Sequence, residues 1–253
     1  MHDLANALVL LSNFVLIPSI TYGAQLALGA LGITLVFSIL RFANFAHGDT
    51  MAFGTMIAIF CTWGLQALGL SLGPLPVALL SLPVAIAVTI GLVLGTDKII
   101  YQFYRNKKVD PIILVMASVG VMFMMNGLVR IFIGTGDVSF ADGARFIIRA
   151  REFKEMTGLD EGLALRTTQV ITIVVAVAVM MSLFWFLQKT RTGKSMRAFS
   201  DNEDLALLSG IKPEHVVKVT WIIAATLATI AGVLYGLDKG FRPFTYFQLL
   251  LPI

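Results

Sequence analysis

Long apolar runs, separated by short polar stretches, dominate this chain. No charged residue lies between Asp3 and Arg41, or between Asp49 and Asp97. Each of these uncharged runs exceeds the roughly 20 residues that an α-helix needs to cross a bilayer once. The pattern therefore predicts about six membrane-spanning helices. We place them at residues 22–40, 50–68, 77–96, 112–134, 168–188 and 217–237.

Prolines modify this pattern at three places. The apolar stretch over residues 4–17 is short, and Asn13 and Pro18 interrupt it. We predict an interfacial or re-entrant helix there, with a full span as the alternative. Pro83 predicts a kink in the third span, and residues 69–76 have the composition of a turn.

The composition agrees with a membrane protein. Of the 253 residues, 57% are hydrophobic and only 13% are charged, against roughly 25% charged in soluble domains. We therefore predict an all-α, polytopic transmembrane helix bundle that forms a single domain over residues 1–253. The net charge of +4 does not indicate nucleic-acid binding, because the basic residues cluster beside apolar runs. Cys61 is the only cysteine, which excludes an intrachain disulfide and a cysteine metal cluster.

Charge also predicts the orientation. The two basic segments, residues 97–111 and 189–216, are separated by two spans and so belong on one side of the membrane. The positive-inside rule places both in the cytoplasm. The segment 135–167 on the opposite side also carries basic residues, but they are spread out and mixed with acidic ones.

The polar segment 189–216 carries signals for a helix of its own. Ser200 and Glu203 have the spacing of a capping box, Gly210 suits the end of a helix, and Pro213 suits the start of the next one. We predict a short exposed helix over residues 201–209, with Leu205 and Leu208 on one face. It is either a capped solvent-exposed loop or a docking helix for a soluble partner.

The same segment contains an apparent phosphate-binding motif, residues 192–195, that we reject. A P-loop needs a glycine at the position of Gln188, and it needs a strand before the loop rather than a membrane helix. No metal-ligand spacing or catalytic set is found elsewhere either. The chain is therefore not predicted to be an enzyme or to hold a cofactor, and any ATP dependence must come from a partner.

Several polar residues lie beside or within the predicted spans. Asn44, His47 and Asp49 interrupt the apolar pattern, and such groups are costly near a membrane unless they are paired. The structural alternative is that Asp49 caps a helix starting at Thr50 and that His47 bonds a loose carbonyl. Asn126 predicts either an interhelical hydrogen bond or a contact with solute.

Small residues recur every four positions along the sixth span. They are Ala224, Ala228, Gly232 and Gly236. Such a row makes a smooth groove, which predicts either close internal helix packing or a face toward a partner or a solute.

Two stretches carry a resemblance to a known family. The spacing Asp204-x-Ala206-x-x-x-Gly210 resembles the EAA-x-x-x-G loop of ABC importer permeases, with Asp for Glu and Leu205 for the first Ala. RTGKSMRAFSDNEDLALLSGI and GALGITLVFSILRFANFAHGD are more similar to the permeases of branched-chain amino acid importers.

The resemblance implies a set of partners in the bacterial inner membrane. These are a second permease subunit, forming a hetero- or homodimer, two cytoplasmic ATP-binding subunits, and a periplasmic solute-binding protein. It also implies that the helix predicted over residues 201–209 is a coupling helix. This helix would contact the ATPase through Asp204, Leu205, Ala206, Leu208 and Gly210. Because the family continues through further membrane segments, we expect this chain to stop before the last spans.

The solute would be a branched-chain or related amino acid. A zwitterion with an apolar side chain calls for a mostly apolar path with sparse polar groups. We name Thr34, Asn44, His47 and Asn126 as candidate path residues. The alternatives are a urea or amide ABC permease and a self-sufficient secondary transporter, which would need acids or a polar filter at mid-span.

Overall fold

The computed structural model describes residues 2–70, 73, 75–140 and 146–249, and these form a bundle of long helices. Six of the helices are long and apolar enough to cross a membrane, which confirms the predicted all-α polytopic class. In chain order the elements are α1 (His2–Leu40), α2 (His47–Ala67), α3 (Ala78–Asn106), α4 (Pro111–Ile133), β1 (Phe146–Ile148), α5 (Ala150–Thr157), β2 (Leu165–Arg166), α6 (Thr167–Lys189), α7 (Arg191–Asp201), α8 (Glu203–Leu208), α9 (Pro213–Lys239) and α10 (Pro243–Gln248).

Helix α9 lies at the centre and packs against α1, α2 and α3. Its small residues allow this close approach. A Cβ added at Gly232 would lie 2.6 Å from the carbonyl oxygen of Met51 and 2.5 Å from the hydroxyl of Thr55. Ala224 and Ala228 are also buried. The row of small residues therefore serves internal packing, the first of the two alternatives.

Helix α1 is longer than the sequence predicts. The interfacial helix expected over residues 4–17 is instead the first part of one continuous helix. A π-helical turn over Ser12–Leu16 ends two residues before Pro18, which lacks the backbone N–H for a helical hydrogen bond, and the helix continues through both. The side chain of Asn13 bonds the backbone of Gly162 and Ala164, so it does not interrupt the helix.

The predicted basic loop over residues 97–111 is also mostly helical, which is a correction. Helix α3 continues through Thr96 as far as Asn106, with a π-helical turn over Asp97–Tyr101. The carboxylate of Asp97 pairs with Arg105 at 2.9 Å, so the charges are satisfied along the helix. Pro83 lies inside α3.

The connection from α1 to α2 runs back into the bundle, alongside α1. Arg41 ends α1 in the left-handed region, with φ of 58°, and α2 begins at His47. His47 packs against Gly32, which lies eight residues, or roughly 12 Å, before the end of α1. Helix α2 thus starts within the bundle, and the break covers residues 41–46 rather than the predicted 41–49.

The opposite end of the bundle is closed by the segment after α4 and by α10. Strands β1 and β2 pair antiparallel, with Phe146 opposite Arg166. Tyr246 of α10 is fully buried and donates a hydrogen bond to the carbonyl of Gly232 at 3.1 Å. Gly69 turns the chain with φ of 76°; the rest of the predicted turn over residues 69–76 lies partly outside the described residues.

Candidate functional site

The polar segment between α6 and α9 folds as two short helices instead of one. Helix α7 occupies Arg191–Asp201, and α8 follows as Glu203–Leu208. The prediction of a single helix over residues 201–209 is therefore corrected at its start. Pro213 begins α9, as predicted.

The predicted capping box of Ser200 and Glu203 is wrong. Asn202 is the N-cap of α8, and its side-chain oxygen accepts the amide of Leu205 at 3.0 Å. Ser200 belongs to α7, where its hydroxyl donates to the carbonyl of Ser38 in α1 at 3.3 Å. That tertiary contact removes Ser200 from the local cap.

Helix α8 presents an apolar surface on an otherwise charged turn. Leu205 is 60% exposed and Leu208 is 85% exposed, and Asp204 is also exposed. Ala206, in contrast, is only 3% exposed and packs into the core. Of the predicted contact residues, Ala206 therefore does not lie on the surface but holds α8 against the bundle.

Gly210 ends α8 as the sequence predicts. Its φ is 81°, a conformation that glycine adopts without the cost paid by other residues. Its amide donates to the carbonyl of Leu207, and the next amide, of Ile211, donates to Ala206. The turn at Gly210 thus fixes where α8 sits relative to α9.

Helices α7 and α1 are joined at their ends by two hydrogen bonds. The guanidinium of Arg41 donates to the carbonyl of Ser200, and the Ser200 hydroxyl donates to Ser38. Because Asp201 and the α8 cap follow directly, the exposed helix is connected to the start of the α1–α2 break.

Asn44 stands in the middle of that break. Its side-chain oxygen accepts hydrogen bonds from the amide of Ala46 and from the hydroxyl of Tyr101, each at 3.2 Å. The neighbouring amide of Phe45 donates to Ser118 of α4. Asn44 is buried, and these hydrogen bonds shape the break.

A second group of contacts, which the sequence analysis missed, joins α3 to α9 beside the break, where Tyr101 bonds Asn44. Asp97 accepts a hydrogen bond from the indole of Trp221 at 2.8 Å, in addition to its ion pair with Arg105. The ring of Tyr101 stacks on Trp221, with centroids 5.2 Å apart. No local pattern signals this cluster, since Asp97 and Trp221 are far apart in the chain and lie on different helices.

His47 and Asp49 lie in the first turn of α2, where Asp49 bonds Asn126 of α4 and His47 packs against Gly32 of α1. Asn126 of α4 donates to Asp49 at 2.8 Å, which gives the interhelical hydrogen bond predicted as one alternative. Asp49 lies inside the first turn of α2 and does not cap it, because the helix begins two residues earlier. His47 and Asp49 are both buried, and each keeps one side-chain atom without a hydrogen-bond partner in the described part of the chain.

Thr34 does not join this group. It is exposed on α1, and its hydroxyl donates to the carbonyls of Ala30 and Leu31 in its own helix. No group of three or more His, Cys, Asp or Glu residues that could hold a metal ion occurs within the described ranges.

Comparison with known proteins identifies the family. Residues 15–253 match the family described as "Branched-chain amino acid transport system / permease component". The chain belongs to this family. It is therefore a transport permease subunit and a multi-pass membrane protein, and permeases of this family belong to transporter complexes with other subunits.

Its curated relatives include several bacterial permeases. It is 27% identical over 220 residues to the high-affinity branched-chain amino acid transport system permease protein LivH of Escherichia coli K12, covering 86% of this chain and 68% of that protein. It is 26% identical over 225 residues to BraD of Pseudomonas aeruginosa, covering 89% and 71%. The fructose import permease protein FruG of Bifidobacterium longum is 25% identical over 195 residues, covering 76% and 53%. No solved structure matches the chain.

Family membership supports the importer interpretation and not a self-sufficient secondary transporter. The structure adds an exposed apolar surface on α8, to which Leu205 and Leu208 contribute most, and hydrogen bonds that join its neighbour α7 to α1.

Proposed function

We propose that this permease carries branched-chain amino acids from a periplasmic binding protein into the cytoplasm, as part of an ABC importer. Two ATP-binding subunits hydrolyse ATP, and a second permease subunit completes the membrane part. The observation that carries the proposal is α8, a capped helix that exposes Leu205 and Leu208 while Ala206 anchors it to the bundle.

The exposed face of α8 is suited to a soluble partner. Leu205 is 60% exposed and Leu208 is 85% exposed, and a partner that covers them removes apolar surface from water, which favours binding. Asp204 beside them adds a charged rim. Leu205, Leu208, Asp204 and the turn at Gly210 form the coupling surface toward the ATPase. Ala206 contributes by fixing the position of that surface.

The proposed orientation puts α7 and α8 in the cytoplasm. Cys61 is the only native cysteine, so its replacement by serine gives a background for labelling. In intact cells, Leu208→Cys and Lys107→Cys should not react with a membrane-impermeant thiol reagent, whereas Met156→Cys should, because Met156 is 85% exposed on α5 at the other end. Reaction of Leu208→Cys from outside would contradict the orientation.

Crosslinking tests the docking step. In membranes that contain the assembled transporter, Leu208→Cys should crosslink to a cysteine in the ATPase, and ATP should change the yield. Met156→Cys serves as the matched exposed control and should give no product. Equal crosslinking from both positions would argue against α8 as the coupling helix.

The path for the solute is proposed to pass the start of α2. Asn44 and His47 belong to this part of the chain, and Asp49 there bonds Asn126 of α4. His47 and Asp49 each keep one side-chain atom without a hydrogen-bond partner among the described residues. Thr34 is exposed on the outer face of α1. It lines a path only where the second permease subunit packs against that face and encloses it. The named relative FruG makes a sugar the competing solute, so leucine and fructose are compared side by side in uptake measurements.

A further inference from the structure

An apolar groove runs between α6 and α9. It has a volume of about 450 Å³, and its walls include Val175, Val179 and Phe186 from α6 and Ile223, Leu227 and Ile230 from α9. From Val175 to Phe186, α6 rises by roughly 16 Å. The groove is therefore elongated and apolar, and it runs along a membrane span.

The groove is open on the side of the bilayer. Val174, Met181 and Trp185 of α6 are each at least 60% exposed on the same helix. Among the described residues nothing covers these side chains, so a lipid acyl chain can reach the groove beside them. Trp185 lies near the end of α6, where tryptophan is typical of the interface between hydrocarbon and headgroups.

Basic side chains gather at that end of the groove. Helix α7 turns back tightly on α6, since a Cβ at Gly193 would lie 2.3 Å from the carbonyl oxygen of Phe186. The exposed face of α7 carries Arg191, Lys194 and Arg197 at a spacing of three residues. The buried face carries Met196 and Phe199, so α7 is amphipathic.

We propose that the α6–α9 groove and the basic face of α7 form a binding site for one anionic phospholipid. An acyl chain fills the groove, and the phosphate contacts Arg191 and Lys194 just beyond Phe186. The charges select the headgroup, because clusters of basic residues at the end of membrane helices attract anionic lipids. The lining of the groove includes none of the residues proposed for the amino-acid path at the start of α2.

The test uses the purified full chain in detergent, with native mass spectrometry of bound phosphatidylglycerol and phosphatidylcholine that share the same acyl chains. The unmodified chain should retain phosphatidylglycerol preferentially. The double variant Arg191→Gln/Lys194→Gln should bind phosphatidylglycerol about 30-fold more weakly, with its affinity for phosphatidylcholine unchanged.

Two matched controls separate charge from position. Lys212→Gln/Lys218→Gln removes two basic residues beside a different hollow at the same end, and it should leave the preference intact. Ala178→Trp fills the groove and should lower the binding of phosphatidylglycerol, whereas Val174→Trp, outside the groove lining, should not.

Three results would overturn the proposal. The first is equal retention of the two lipids by the unmodified chain. The second is a loss of preference that is as large in the Lys212/Lys218 variant as in the Arg191/Lys194 variant. The third is unchanged lipid binding by Ala178→Trp together with loss of a dimer mass, which would make the groove an interface between two copies of the chain.

Discussion

The guanidinium of Arg41, at the end of α1, donates a hydrogen bond to the backbone carbonyl of Ser200, near the end of α7. The residue after Ser200 ends α7, and Asn202 caps α8. On its other side, Arg41 leads into the break that contains Asn44. The contact therefore connects the proposed coupling helix to the polar group at the start of α2.

The Arg41 contact predicts an uncoupled variant. Arg41→Gly removes the side chain but suits the φ of 58°, so the backbone conformation is kept. We expect uptake to fall about tenfold, a typical size for coupling between distant sites, while ATP hydrolysis by the assembled transporter persists. The measurement is uptake per ATP hydrolysed in vesicles.

Arg149→Gly, at the opposite end of the bundle, is the control for Arg41→Gly. It removes an exposed arginine that makes no contact with α7, and its uptake per ATP should match that of the unmodified transporter. Normal coupling in Arg41→Gly would show that the hydrogen bond to Ser200 transmits nothing.

Substitution of Gly210 is predicted to be harmful only because of the backbone conformation at this position. No atom lies within 4 Å of an added Cβ, yet the φ of 81° is unfavourable for a β-branched residue. Gly210→Val should cost about 1–3 kcal/mol locally, displace α8 and uncouple ATP hydrolysis from uptake, while membrane insertion stays normal. Gly127→Val, which also has open space but lies inside α4, should retain coupling; unchanged uptake in Gly210→Val counts against the assignment of α8.

Substitutions at Ala206 and Leu208 should affect different properties, stability and ATPase binding respectively, although the two residues are close in the chain. Ala206→Leu overfills a buried position and should destabilise the protein by about 1–3 kcal/mol. Leu208→Glu changes an exposed position and should leave the melting temperature unchanged while weakening ATPase binding. Thermal unfolding in detergent and co-purification of the ATPase measure the two effects, and a destabilised Leu208→Glu protein would contradict the exposed placement of this side chain.

Gly232 tests the packing of the central helix. A Cβ there would meet the backbone carbonyl of Met51 at 2.6 Å, and backbone cannot move aside cheaply. Gly232→Ala should lower the free energy of unfolding by about 1–3 kcal/mol, as measured by thermal unfolding in detergent. Gly91→Ala has open space around it and should be neutral; equal stability of the two variants would refute the close contact of α9 with α2.

Local sequence signals predicted much of the fold. Long apolar runs located the spans, and Gly210 and Pro213 marked the end of α8 and the start of α9. The N-cap of α8 could not be predicted, because Ser200 and Asn202 both have suitable side chains, and only the contact of Ser200 with Ser38 decides between them.

Contacts between distant segments were also beyond local patterns. Asp97 looked like part of a basic loop, but the indole of Trp221 and the guanidinium of Arg105 hold it within a helix. For the candidate site, the sequence identified Asn44, His47 and Asn126 as unusual polar residues. It could not show that Asp49 joins Asn126 or that Thr34 lies apart from them.

We propose that this chain is one membrane-spanning subunit of an ATP-driven importer for branched-chain amino acids. The most direct measurement is leucine uptake into vesicles that contain the permease subunits and the ATPases. Uptake should require the binding protein and ATP together, and excess fructose should not compete. Robust leucine uptake driven by a sodium or proton gradient alone, without ATP or the binding protein, would contradict the account.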